Sequence, residues 1–397
     1  MKITKGLILK LFSGANMQRW NDKMRLVELT ELDKQAHKMM IAYVLGKYEK
    51  KKSGVDRIDI IEGGIFEYLQ RVEITDIKPP IFHQIREKTE QYEQLKKWVY
   101  GRLSPVITPL GKDFKSRYRA YFSDNEEGIS RRVINAAHAY ATKWEFDLIE
   151  PLNVLKDTEI PQIRTRLIDE QRKYGDLLGI QELDNSPSLR SFVDLCGQLR
   201  FQLRWSNVCR LTHTSVLGHM LIVAILAYLF SVQARACPKR RINNYFTGLF
   251  HDFPETLTRD IISPVKGAVE GMPEIVKEYE KEQMKSRVYK IIPKKWHEEI
   301  RMYAEDEFAD FVTIKGEQKI VTSEEIRKKY NYDRFNPRDG RLVKACDNLA
   351  AFTEAYIALR NGSTAEELQE AKHKIKNEHR NEVISGIAFG PIYADFE

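Results

Sequence analysis

Three stretches that otherwise read as apolar helix are interrupted by residues of the kinds that hold cations. His219 precedes the run "MLIVAILAYLF", His251 and Asp252 follow "YFTGLF", and Asp347 sits inside "LVKACDNLAAF". Burying a carboxylate or an imidazole among such neighbours is costly unless a cation or hydrogen bonds compensate it. Two imidazoles and two carboxylates make a mixed nitrogen and oxygen shell, which suits a divalent transition metal better than a Cys-rich structural zinc would. A site of this open type lowers the pKa of a water and polarises a phosphoryl oxygen, the chemistry a hydrolase needs.

The elements that must bring these residues together are helices. Apolar residues recur at spacings of three and four through nearly the whole chain, alternating runs are few, and the expected fold class is all-α. At 397 residues, two units are expected: 1–150, a connecting helical segment at 151–190, and 191–397. The connecting segment is polar and carries prolines at both ends. Hydrophobic residues form 42% and charged residues 30%, so a core can be buried and disorder is not expected. The net charge of +7 favours anionic ligands such as phosphates, while no basic and aromatic stripe points to nucleic acid. The four cysteines form no CxxC pair, the N-terminus lacks a cleavage site, and the longest apolar run is short of the ~20 residues that span a bilayer. A cytoplasmic protein without a membrane partner is the expectation.

The two halves repeat each other. "MQRWNDKMRL" at 17 matches "QLRWSNVCRL" at 202, "HKMMIAYVLGKY" at 37 matches "HMLIVAILAYLF" at 219, "GGIFEYLQRVEITDIKPPI" at 63 matches "TGLFHDFPETLTRDIISPV" at 247, and "RRVINAAHAYA" at 131 matches "GRLVKACDNLA" at 340. The offsets are 185, 182, 184 and 209, in order along the chain. Shared helical periodicity accounts for the apolar agreement, but not for the shared Arg-Trp, for Asp76 with Asp260, or for Pro80 with Pro264. By these offsets His37, Glu67, Tyr68 and His138 stand where the second half has its cation-binding residues, and Arg71 stands at the position of Glu255.

The set His219, His251-Asp252 and Asp347 resembles the HD-domain metal-dependent phosphohydrolases. "RW" fifteen residues ahead of the first His, and "HDFPETLTRDIISPVK", resemble the bacterial 5'-deoxynucleotidase branch over residues 195 to about 360. The resemblance implies tandem HD-type domains with a degenerate first copy. It implies His219, His251, Asp252 and Asp347 as ligands of one divalent ion (manganese, cobalt, iron, nickel, zinc or magnesium). It further implies Glu255 as the group that activates water, Asp260 as a shaper of the nucleotide pocket, and Arg204 and Trp205 as contacts to phosphate and sugar. Lys266 is a phosphate contact by charge. Glu255 lies three residues after Asp252, a spacing that on a helix keeps both on one face. The family branch commonly has Glu before the first His; here it is Gly218.

The expected function is phosphate release from 5'-deoxynucleoside monophosphates. The alternatives are hydrolysis of nucleoside triphosphates or alarmones, and a non-catalytic nucleotide-binding regulator. The expected partners are a small nucleotide and either a second copy of the chain or the first half acting as an internal pseudo-partner.

Overall fold

A computed structural model describes residues 1–49, 54–123, 128–259 and 269–397. The fold is all-α, with 70% helix and 4% strand. Seven helices position the candidate site: α1 (Lys5–Phe12), α2 (Glu31–Glu49), α3 (Arg57–Ile74), α4 (Ile129–Asn153), α5 (Val216–Gln233), α6 (Pro238–Phe250) and α7 (Gly340–Arg360). Two small antiparallel hairpins, β1 (Phe311–Ile314) with β2 (Glu317–Ile320) and β3 (Val383–Ile384) with β4 (Ile387–Ala388), decorate the second half.

The helix starts follow from capping chemistry. Ser215 accepts from the Gly218 N–H to open α5, Asp339 accepts from Leu342 N–H to open α7, and Thr30 accepts from Asp33 N–H to open α2. Helix α5 is 18 residues long with a mean hydropathy of 2.0, longer than its apolar run alone indicates; by length and composition it is apolar enough to cross a membrane. Its apolarity has a use within the fold, which buries 89% of it between α2, α6 and α7.

One apolar core runs through both halves, from Leu7 and Met39 to Leu249 and Cys346. The segment 151–190 is not a single connecting helix. It breaks into helices Ile160–Arg172 and Leu178–Asn185, the latter followed by Pro187–Gln198, and Leu177, Ile180 and Leu183 are buried in the shared core. Its polar residues face out while this apolar minority packs against α2, and composition averaged over the segment hides that minority.

The halves cross where α2 and α5 begin. Ser215 donates to the Asp33 carboxylate across the seam, and a Cβ at Gly218 would lie 2.9 Å from Asp33 Oδ1 and 2.9 Å from Leu32 Cδ2. Steric exclusion by the first half therefore explains the glycine before His219. Gly248 makes a second close approach: a Cβ there would lie 2.8 Å from the Ala224 backbone, so only glycine lets α6 pack on α5 at this distance.

Candidate metal centre and its counterpart in the first half

Helices α5 and α7, with the turn that follows α6, bring the cation-binding residues together. Ligand atoms of His219, His251 and Asp347 lie within 4.8 Å of one another, a spacing that fits one ion. Asp347 Oδ1 is 2.9 Å from His219 Nε2 and 3.9 Å from His251 Nε2. Asp252 joins them through its Oδ2, 3.2 Å from His251 Nε2.

The expected helix through His251, Asp252 and Glu255 is interrupted. Helix α6 stops at Phe250, residues 251–254 form a turn, and a short helix starts at Glu255. Pro254 has no N–H to continue the ladder and disfavours helical backbone at the residue before it. The Glu255 N–H still donates to the Asp252 carbonyl at 3.0 Å, so Glu255 remains one turn beyond Asp252, and it is buried.

Orientation comes from outside the cluster. His251 Nδ1 is 2.9 Å from the Gly248 carbonyl, which assigns the proton to Nδ1 and turns Nε2 towards the acids. His219 Nδ1 faces Glu354 Oε1 at 3.1 Å, leaving Nε2 for the site. Glu354 was not among the residues singled out in the sequence. It is fully enclosed on α7, and its Oε2 also accepts from Trp205 Nε1 at 2.8 Å and Arg204 Nε at 3.3 Å. A signal for it exists: Glu354 lies seven residues, two helical turns, after Asp347, and Glu145 lies seven residues after His138. Carboxylate support of a ligating imidazole affects metal affinity by roughly 10- to 100-fold. Glu354→Gln is accordingly expected to weaken divalent-metal binding by about that factor, measured by calorimetry, with the fold retained.

Arg204 reaches the cluster, with Nη1 3.4 Å from Asp252 Oδ2. Trp205 adopts a left-handed backbone (φ +56°) and packs on Val208, Ala355, Ala358 and Leu368. Lys344, also not singled out from sequence, donates from Nζ to Asp347 Oδ2 at 2.8 Å. Asp260 and Lys266 lie outside the described residues.

Burial alone would raise the Asp347 and Asp252 carboxyls. Lys344, His219 and His251 hold Asp347 well below the ordinary range, and His251 and Arg204 do the same for Asp252. Burial works against charge on His251, but the Asp252 and Asp347 carboxylates overcome it and push its imidazole up to about 8. An ion must displace that proton from Nε2. Metal affinity is therefore expected to rise by about tenfold per pH unit below pH 8 and to level off above it. A calorimetric series from pH 6 to 9 reads this, and a flat profile would contradict it. In the metal-free protein the sign is opposite: the raised pKa adds stability that is complete below about 6.5 and lost as pH rises through about 8.

The first half reproduces the framework hydrogen bonds at a constant offset of 185 residues. The Arg19 N–H donates to the Leu29 carbonyl as Arg204 does to Thr214, Glu31 to Met17 as Val216 does to Gln202, and Trp20 (φ +52°) is left-handed like Trp205. Arg19 and Trp20 donate to Glu145 as Arg204 and Trp205 donate to Glu354. This register corrects one correspondence. With Thr30 and Ser215 as matching caps, Lys34 and not His37 occupies the place of His219. Lys34 Nζ lies 2.5 Å from His138 Nδ1, as His219 lies against Asp347. His37 is one turn further on, with Nε2 3.0 Å from the Val193 carbonyl and its ring edge-on to Trp144. Burial and the neighbouring Arg200 hold that imidazole at about 3. Lys38 donates to Glu67 at 3.0 Å, and Arg71 stands 3.3 Å from Glu31. Basic side chains, Lys34, Lys38 and Arg71, thus enter the first-half counterpart of the cluster, where burial holds the Lys34 amine well below its usual range.

The helical fold thus brings together a buried His, His and Asp cluster whose spacing fits one metal ion. Residues 196–376 match the family model described as HD domain, which supports an HD-domain family for this part of the chain and a phosphohydrolase class of chemistry. HD domains bind divalent metals, and the cluster is the candidate site for one. No curated protein matches the chain.

Proposed function

We propose that the second half hydrolyses nucleotides, releasing phosphate from deoxynucleoside 5'-monophosphates, and that the first half is a degenerate copy serving as its built-in partner. The observation that carries this reading is the convergence of His219, His251 and Asp347 within 4.8 Å, with Asp252 and Arg204 alongside. His219, His251, Asp252 and Asp347 would hold one divalent ion, which when bound supplies Lewis-acid charge to the phosphoryl oxygen and to a water. Glu255 takes a proton from the attacking water, and Arg204 draws the phosphate dianion to the cluster. The bond from phosphorus to the nucleoside oxygen breaks, and the proton returns to that oxygen. Trp205, which is only partly buried, is assigned to the sugar side, and by the resemblance Asp260 would shape the nucleotide pocket and Lys266 would contact phosphate.

The degenerate reading rests on charge. Lys34 and Lys38 bring two amines into the space of an ion, and Arg71 cannot serve as a base at neutral pH. The partner reading is supported by the α2–α5 seam and the continuous core. Removal of residues 1–185 tests it: a soluble, monomeric, fully active remainder would refute it.

Function is tested by incubating the protein with Mn²⁺ or Co²⁺ and a panel of nucleoside mono- and triphosphates. Inorganic phosphate from deoxynucleoside monophosphates is expected. Pyrophosphate or triphosphate release would move the assignment to the triphosphate or alarmone class. Turnover of no substrate, or equal turnover by Asp252→Ala, would remove the hydrolase reading and leave a cytoplasmic nucleotide-binding regulator.

A further inference from the structure

Helix α7 brings a second cation to the metal centre besides Arg204. Lys344 lies one turn before Asp347, and its Nζ donates to Asp347 Oδ2 at 2.8 Å, while Oδ1 of the same carboxylate faces His219 and His251. Arg204 stands in the same relation to Asp252, with Nη1 3.4 Å from Oδ2. Each cation is therefore one carboxylate removed from the place of the ion. They arrive from different elements, Lys344 from α7 and Arg204 from the loop ahead of α5.

The centre opens to solvent on the side of these two cations. Side-chain exposure is 0% at His219 and 1% at His251, rises to 13% at Asp347, 16% at Arg204 and 19% at Asp252, and reaches 47% at Lys344. The ammonium is nevertheless held in place. Its Nζ lies 4.5 Å over the centroid of the Phe308 ring, and that ring stands 6.0 Å from the His251 imidazole. A carboxylate and an aromatic face together fix one position of a side chain that otherwise has many. Asp347 is its one hydrogen-bond acceptor among the described residues, so two of the ammonium's three donors remain for a ligand. Asp347, and after it Asp252, favour the charged form of the amine, while Arg204 opposes them. In the first half the matching position is Asn135, three residues before His138 as Lys344 is three before Asp347. The half without the candidate metal ligands thus lacks this cation, although it keeps the Arg19-Trp20 pair.

We propose that Lys344 is a phosphate-binding and specificity-determining residue of the second half. With Arg204 it brackets the substrate's phosphate at the metal centre, and it selects the dianion of a terminal phosphomonoester against the monoanion of a phosphodiester. The inference rests on the hydrolase reading of the site. A terminal phosphate carries roughly −1.5 to −2 charge at neutral pH and three acceptor oxygens, so it can meet both cations and leave an oxygen for the ion. An internal phosphate, with a single charge and one oxygen fewer, cannot satisfy all three.

Calorimetric titration of the manganese-loaded full chain tests this with two probes that differ in charge alone, a deoxynucleoside 5'-phosphonate and its monomethyl ester. Lys344→Met, which keeps the stem of the side chain on Phe308, should weaken the dianionic phosphonate about tenfold, the scale of one charge-assisted hydrogen bond, and the monoanionic ester by only about twofold. Manganese content and circular dichroism should stay as in the parent protein, and Lys344→Arg should recover most of the affinity. Phosphonate binding unchanged in Lys344→Met, equal weakening of both probes, a weakening matched by loss of manganese, or no phosphonate binding by the parent protein would overturn the proposal. No turnover is needed. A protein that binds the phosphonate through Lys344 yet releases phosphate from no nucleotide would keep Lys344 as a phosphate contact and remove the hydrolase reading instead.

Discussion

Asp347→Ala is expected to remove divalent-metal binding and to lower phosphate release by more than about 10³-fold, the scale of losing the ion's transition-state charge stabilisation. Asp347 Oδ1 faces both His219 and His251, and Oδ2 holds Lys344, so one truncation takes away a ligand and frees a cation beside the site. The freed ammonium adds repulsion to the lost coordination. Asp347→Asn separates these effects: it keeps the shape but not the charge, and should retain the fold while still binding metal poorly. Metal content by atomic absorption, phosphate release and circular dichroism read the three consequences. A metal-replete, active Asp347→Ala protein would show that the cluster is a structural hydrogen-bond network.

The second large effect belongs to Glu255→Gln. If Glu255 accepts the proton of the attacking water, the amide should lower kcat by about 10²- to 10⁴-fold while metal content stays near that of the parent protein. The two variants are thus told apart by metal, not by activity. Glu255 is not one of the four residues assigned to the ion, which is why metal retention is expected. A Glu255→Gln protein that loses its metal would instead make Glu255 a ligand, and one with unchanged kcat would leave it a packing residue at the start of its short helix.

Much of the fold was legible because helical periodicity is a local property, and the segments from α2 to α7 carry it plainly. The residues of the cluster were legible for a different reason. Imidazoles and carboxylates inside apolar helices are expensive, and His219, His251 and Asp347 stand out against their neighbours for that cost alone. Other features were not legible. Glu354 sits in "AAFTEAYIALR", where a single acid on a helix reads as surface until α5 covers it. The segment 151–190 read as a polar connector because its few buried side chains, such as Leu177, Ile180 and Leu183, are diluted by charged ones.

The register between the halves shows where sequence ends and tertiary structure begins. The chain alone determined that an Arg-Trp pair, apolar helices and an acid or imidazole recur in order, since these are statements about residue types and spacing. It did not determine whether Lys34 or His37 answers to His219. Apolar residues recur every three or four positions, so a slip of three residues keeps the same helix face, and pattern matching prefers the aligned histidines. The caps Thr30 and Ser215, fixed by hydrogen bonds to their own helices, decided it. Packing likewise decided Gly218, where a Cβ would run into Asp33 and Leu32 of the other half. Such choices depend on which surfaces meet, and that is a property of the folded molecule.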